Sequence, residues 1–226
     1  MFRMKKLILS AVVATTLVTN VLANDSVTVS KKWTSSSLRE AQSNRPAGDA
    51  ASGAQLNESL MCSSCHGKEG LPPTNRWPSV AGQLESYTYK MLLDYQSGAR
   101  NEDNRANIMT AVADMMTPQD MADVAAYYAS LQAPTLQQQA APTLVTDGDK
   151  GRLITACASC HGLSGQGGIK GTPAITGQTA ETLKRALEMY RSGDRDSDLY
   201  SVMRQASQRL TDSEIDSLAD YYSGNN

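Results

Sequence analysis

Two stretches decide the reading of this chain: Cys62-Ser63-Ser64-Cys65-His66 and Cys157-Ala158-Ser159-Cys160-His161. Together they use all four cysteines and both histidines of the 226 residues. Each is a Cys-x-x-Cys-His run, the attachment signature of a c-type haem. Two thiols three positions apart can add to the two vinyl groups of one porphyrin. The adjoining imidazole then lies beneath the iron as its proximal ligand. Cys62, Cys65, Cys157 and Cys160 are therefore the candidate attachment residues for two covalent haem c groups, and His66 and His161 the candidate iron ligands. The rival readings explain less. Two disulfides leave unexplained why each histidine directly follows a second cysteine. A zinc site of four cysteines gives neither histidine a role. A thioredoxin-like redox pair has no need of a duplicate.

Working outward, the chain repeats itself. At an offset of 95 residues Pro78 matches Pro173, Gly82-Gln83 matches Gly177-Gln178, Tyr95 matches Tyr190, and Ser97-Gly98 matches Ser192-Gly193. One extra residue in the first half then lowers the offset to 94, pairing Met109 with Met203, Thr117 with Thr211 and Tyr127-Tyr128 with Tyr221-Tyr222. These matches define a first domain over 48–131, a linker over 132–146 and a second domain over 147–226. The linker carries Pro134, Pro142 and three consecutive glutamines, which suits an extended, solvated connector. Residues 24–47 have no copy in the second half and read as a poorly ordered polar leader, anchored locally by Trp33 or Leu38.

The pattern is all-α. Thr211 and Glu214 make a capping box, followed by Ile215, Leu218, Ala219 and Tyr222 at helical spacing. Thr117 caps the matching helix, with Pro118 at its first position, Asp120 in its first turn and Met121, Val124, Ala125 and Tyr128 on its apolar face. Middle helices are expected through 87–95 and 182–190, stopped by Gly98 and Gly193. Aromatics are scarce, with nine Tyr, two Trp and one Phe, so each core needs another filler; a large apolar cofactor would serve.

With both histidines and all four cysteines used, methionine, lysine, tyrosine, an amino terminus or an open site remain for the distal side of each iron. Eight methionines lie beyond residue 23. A lone methionine is ordinarily core filler, but the repeat discriminates. Met189 aligns with Asp94 and has no partner, whereas Met203 aligns with Met109. Met109 and Met203 are the candidate distal ligands, with Met115 and Met116 as the fallback in the first domain. Thioether sulfur favours reduced iron and raises the potential. A metal-bound histidine usually donates its second ring N–H to a carbonyl or carboxylate. The backbone carbonyls of Pro78 and Pro173, each 12 residues after its histidine, are candidate acceptors, a plain turn proline being the alternative.

Arg3, Lys5 and Lys6, the apolar run 7–18 and Val21-Leu22-Ala23 together read as a signal peptide over 1–23, with the mature chain starting at Asn24. The run is shorter than the ~20 residues a membrane anchor needs, which disfavours retention as an anchor. Removing 1–23 takes away three basic residues and no acidic one, moving the formal charge from −2 to −5 and arguing against nucleic acid as a partner.

The two Cys-x-x-Cys-His-Gly runs (completed by Gly67 and Gly162), the stretches 78–83 and 173–178, the repeat-matched methionines and the endings 125–128 and 219–222 resemble the cytochrome c4 family over about 47–223. The resemblance implies two tandem class I cytochrome c domains in a pseudo-twofold relation. It further implies a periplasmic electron carrier, not an enzyme, working between a quinol-oxidising complex or dehydrogenase and an acceptor such as a haem–copper terminal oxidase. The leader departs from the family pattern. It leaves open a fixed di-haem subunit of a larger dehydrogenase, such as a sulfide-oxidising flavocytochrome, membrane-associated through its partner.

Overall fold

The computed structural model describes residues 32–135, 140–168 and 171–223. The signal peptide read over 1–23 and the first leader residues lie outside them. The described chain is helical. Its elements are α1 (Ser35–Ser43), α2 (Ala50–Ser59), α3 (Ser63–His66), α4 (Glu85–Gln96), α5 (Asn104–Ala113), α6 (Pro118–Ser130), α7 (Thr143–Thr146), α8 (Ala158–His161), α9 (Ala180–Ser192), α10 (Val202–Ser207) and α11 (Asp212–Ser223). Among the described residues the β-type pairing is an isolated antiparallel bridge, Asp149 to Ile154.

The first domain is built on α2, α4 and α6. α6 starts where its sequence says it should. Thr117 Oγ1 accepts from the Asp120 backbone N–H at 3.2 Å, and Asp120 Oδ2 accepts from the Thr117 N–H at 2.8 Å. Met121, Val124, Ala125 and Tyr128 are all buried, against Tyr89, Leu92 and Leu93 of α4. α2 crosses α6 at backbone contact. A Cβ on Gly53 would lie 2.1 Å from the Asp123 carbonyl oxygen, so only glycine fits there.

The second domain repeats α4 and α6 as α9 and α11, and Ile215, Leu218, Ala219 and Tyr222 are buried as their spacing predicts. It does not repeat α2. In its place stand the four-residue α7 and the turn 149–154, which Arg152 ties to α11. Arg152 donates from Nε to Asp149 at 2.7 Å and from Nη1 and Nη2 to Glu214 at 2.9 and 2.6 Å. These guanidinium hydrogen bonds hold the Glu214 carboxyl down at about 2. A depressed carboxyl contributes stability above its unfolded value of ~4.3 and loses it as pH falls through the folded value. Glu214→Gln is therefore expected to lower the second domain's urea midpoint at neutral pH. It should also flatten the decline of that midpoint between about pH 5 and 2.

Two sequence expectations are corrected. The leader is not poorly ordered over its described part. Thr34 and Ser37 cap α1 reciprocally, Gln42 donates to the Ser86 carbonyl at 2.8 Å, and Trp33 and Ala41 join the first core. Composition predicted disorder because the leader's few apolar side chains make no core of their own; here they complete another one. The linker is not solvated throughout either. α7 occupies 143–146, with Leu144 and Val145 buried in the second core.

Candidate haem sites

Each Cys-x-x-Cys-His run folds as one helical turn, α3 or α8, ended by a glycine at φ +79°. A Cβ on Gly67 would lie 1.7 Å from the Leu71 carbonyl oxygen, and the left-handed turn disfavours any side chain. The turn carries both thiols and the imidazole of one motif on a single short element. None of the four cysteines is in a disulfide; Cys62, Cys65 and Cys157 are partly buried and Cys160 exposed. Burial pushes the Cys62 and Cys157 thiols up.

His66 and His161 are nearly enclosed. Their Nδ1 atoms each lie 3.0 Å from a carbonyl oxygen, Pro78 O and Pro173 O respectively. A carbonyl can only accept, so Nδ1 carries the proton and Nε2 presents its lone pair. Burial also pulls both imidazoles below their ordinary range, keeping them neutral, the form that binds metal.

The methionines separate by environment. Met109 sits on α5, partly buried against the first core. Met203 is the second residue of α10 and also half-buried. Of the fallback pair, Met115 is 63% exposed and Met116 fills the core. One further polar group distinguishes the two sites. The Tyr222 hydroxyl is buried with no hydrogen-bond partner among the described residues, whereas its counterpart Tyr128 donates to Asn57 at 2.7 Å. Cysteine pairs outside any disulfide, neutral imidazoles offering Nε2 and half-buried thioethers form a donor set that fits a covalent haem.

Sequence reasoning paired Gln83 with Gln178 but gave neither a role. The structure joins the two domains through them. Gln83 Nε2 donates to the Ala174 carbonyl at 2.8 Å, and its Oε1 accepts from the Ala174 N–H at 2.9 Å. Gln178 makes the same pair with Ser79, at 2.9 and 2.7 Å. Ser79 and Ala174 directly follow the prolines whose carbonyls face the histidines. The available signal was an identical Gly-Gln shortly after each of those prolines. Charged contacts flank the clasp, with Arg185 Nε donating to Asp103 at 2.7 Å across the interface. Gln83→Ala leaves the Ala174 N–H and carbonyl unpaired at about 1–3 kcal/mol. In calorimetry the double variant Gln83→Ala with Gln178→Ala is expected to resolve the two domains into separate transitions.

Comparison with known proteins agrees with this architecture. The cytochrome c family model matches residues 50–132 and again 148–223, so each half is a cytochrome c domain. A cytochrome c4 from Thiocapsa roseopersicina is 34% identical over 173 residues, covering 73% of this chain and 86% of that one. The crystal structure of reduced recombinant cytochrome c4 from Pseudomonas stutzeri aligns with a TM-score of 0.68 at 30% identity, covering 79% of this chain and 99% of the other. A thiosulfate dehydrogenase electron acceptor from Stutzerimonas stutzeri (strain A1501) is 30% identical over 72% of this chain and 78% of its own. The fold and its paired sites thus define a tandem cytochrome of the c type. More narrowly, the chain belongs to the cytochrome c4 family. It carries two covalently bound haem c groups and transfers electrons; it is not an enzyme.

Proposed function

We propose that this protein is a periplasmic carrier that takes electrons from a quinol-oxidising complex or a dehydrogenase and delivers them to an acceptor such as a haem–copper terminal oxidase. The observation that carries the reading is the pair of neutral, buried imidazoles, each pinned through Nδ1 to a proline carbonyl. In this reading Cys62 and Cys65 hold the first haem and Cys157 and Cys160 the second. His66 and Met109 would ligate the first iron, and His161 and Met203 the second. When bound, each haem supplies one-electron Fe(III)/Fe(II) chemistry. The protein's part would be to supply these side chains as ligands and shield the iron from solvent. Pro78 and Pro173 keep the imidazole planes from turning, which limits reorganisation between redox states. The Met109 and Met203 thioethers would raise the potential and, as ligands, deny the iron to peroxide or other substrates.

The similarity to an electron acceptor of thiosulfate dehydrogenase supports a dehydrogenase as one class of donor. The alternative, a fixed subunit of a larger dehydrogenase, would use the leader as a docking arm. The described part of the leader is instead folded onto this chain's own α4, which favours the free carrier. The test is a redox titration and rapid mixing of the purified protein with candidate partners. Fast oxidation by a haem–copper oxidase supports the carrier; co-purification at fixed stoichiometry with a dehydrogenase overturns it. The sequence of the mature N-terminus, expected to begin at Asn24, tests export.

A further inference from the structure

A buried polar chain crosses the molecule from the leader to the second domain. Trp33 is 6% exposed, and its indole Nε1 donates to Asp94 Oδ1 at 2.5 Å. Asp94, on α4, is wholly buried. Its other oxygen accepts from Lys90 Nζ at 2.5 Å, one turn earlier on the same helix. The Lys90 ammonium lies 5.6 Å from the centroid of the Trp33 ring. It also donates to the Ser197 carbonyl at 2.7 Å, and Ser197 belongs to the second domain and is itself buried. Neighbouring contacts fall on the same short segment. Lys32 pairs with Asp196 at 3.6 Å. Ser35 and Tyr200 share a hydrogen bond between hydroxyls. Leu199 packs against the first-domain core that contains Trp33.

The segment so held is unusual in its backbone. Tyr200 and Ser201 take φ +56° and +58°, left-handed values that non-glycine residues keep only where surroundings impose them. α10 follows immediately, with Met203 as its second residue. α10 has six residues, and Ser201 before it makes no side-chain cap bond; Asp198, three residues further back, accepts from the Arg204 N–H of its first turn at 3.0 Å. The matching helix α5 of the first domain has ten, and Asp103 caps it by accepting from the N–H groups of Arg105 and Ala106 at 2.9 and 3.0 Å. One distal helix therefore starts from its own cap. The other starts from a strained turn that Arg204 closes from within, through Asp198, the Asp196 carbonyl and Ser201, and that the leader and α4 hold from outside.

We propose that the leader is a clamp on the second domain's distal loop: Trp33, through Asp94 and Lys90, positions residues 196–201 and through them Met203. This rests on the reading of Met203 as the second haem's ligand. Trp33, Lys90 and Asp94 are positioning residues, and the second iron stays closed only while the leader is docked. The first iron is independent of it.

The test uses the full-length holoprotein. Trp33→Ala is expected to raise amide hydrogen exchange over 196–203 and to speed cyanide binding to the second haem by about tenfold or more, through a larger open population. Exchange over 104–113 and ligand binding at the first haem should not change. Because Trp33 also fills the core, a second variant, Trp33→Phe with Lys90→Met and Asp94→Leu, replaces each polar member of the chain by an apolar group of similar size. It should give the same pattern with the first domain intact. Met203→Ala and Met109→Ala identify which haem opens. If Met203→Ala leaves the second iron closed, the ligand reading fails, and exchange over 196–203 still judges the clamp. If Met203→Ala opens the second iron while the triple variant leaves both exchange and cyanide binding unchanged, the clamp is wrong. Opening of the first haem in place of the second would overturn it equally.

Discussion

Cys157→Ala is expected to strip most of the second haem from the protein and to unfold the domain around it, while the first haem stays. The reason lies in how each core is filled. The first core gathers Tyr89, Leu92, Leu93, Met116 and Met121 with Trp33 of the leader and closes with the α2–α6 crossing. The second lacks a counterpart of α2, and among the described residues α9 has no fully buried side chain. Leu183 and Leu187 only pack partly against the core. A cofactor that binds the folded state alone contributes its binding free energy to folding. Its loss therefore matters more where the protein's own apolar burial is smaller. Mass spectrometry of the purified variant should show one haem in place of two, and circular dichroism should show a loss of helix confined to about half the molecule. Cys62→Ala should also cost a haem but leave more of its domain folded. Equal helix loss in the two variants would refute this account of the asymmetry.

Met203→Ala is expected to lower the second haem's reduction potential by about 0.2 V, a fraction of the ~0.8 V over which axial ligands tune haem iron. Losing the thioether removes the ligand that favours Fe(II). About half of the weak long-wavelength methionine–iron absorption of the oxidised protein should disappear, and cyanide should bind at one haem. Met109→Ala should do the same at the other. A redox titration in which Met203→Ala matches the parent would exclude Met203 as a ligand and return attention to the loop around it.

These expectations were readable in the sequence to different depths. The haem motifs and the closing helices were legible because their signals are local. Two thiols and an imidazole on one turn, or Thr117 and Asp120 three residues apart, need no distant partner to be recognised. The repeat was legible because a pairwise match filters chance, and it alone raised Met109 and Met203 above six other methionines. What could not be read was pairing at long range. The leader looked disordered because Trp33 meets Asp94 only in three dimensions, and the repeat offered no hint, since Asp94 aligns with Met189. The repeat was silent in one respect. Its matches begin at the haem motifs, and upstream of them the stretch aligned with α2 makes a turn tied by Arg152 rather than a helix. Gln83 and Gln178 were visible as a matched pair, but a glutamine that caps a foreign backbone looks like any other polar surface residue until the facing domain is in place.

The reciprocal glutamine contact has a consequence for association. An interface in which each half offers the other the same side chain against the same backbone position is isologous, the type that closes homodimers. Either half alone would carry a self-complementary edge, with its glutamine and its acceptor backbone both unsatisfied. The covalent tether then supplies effective concentration more than geometry. Halves produced separately should find each other, and each should also find itself.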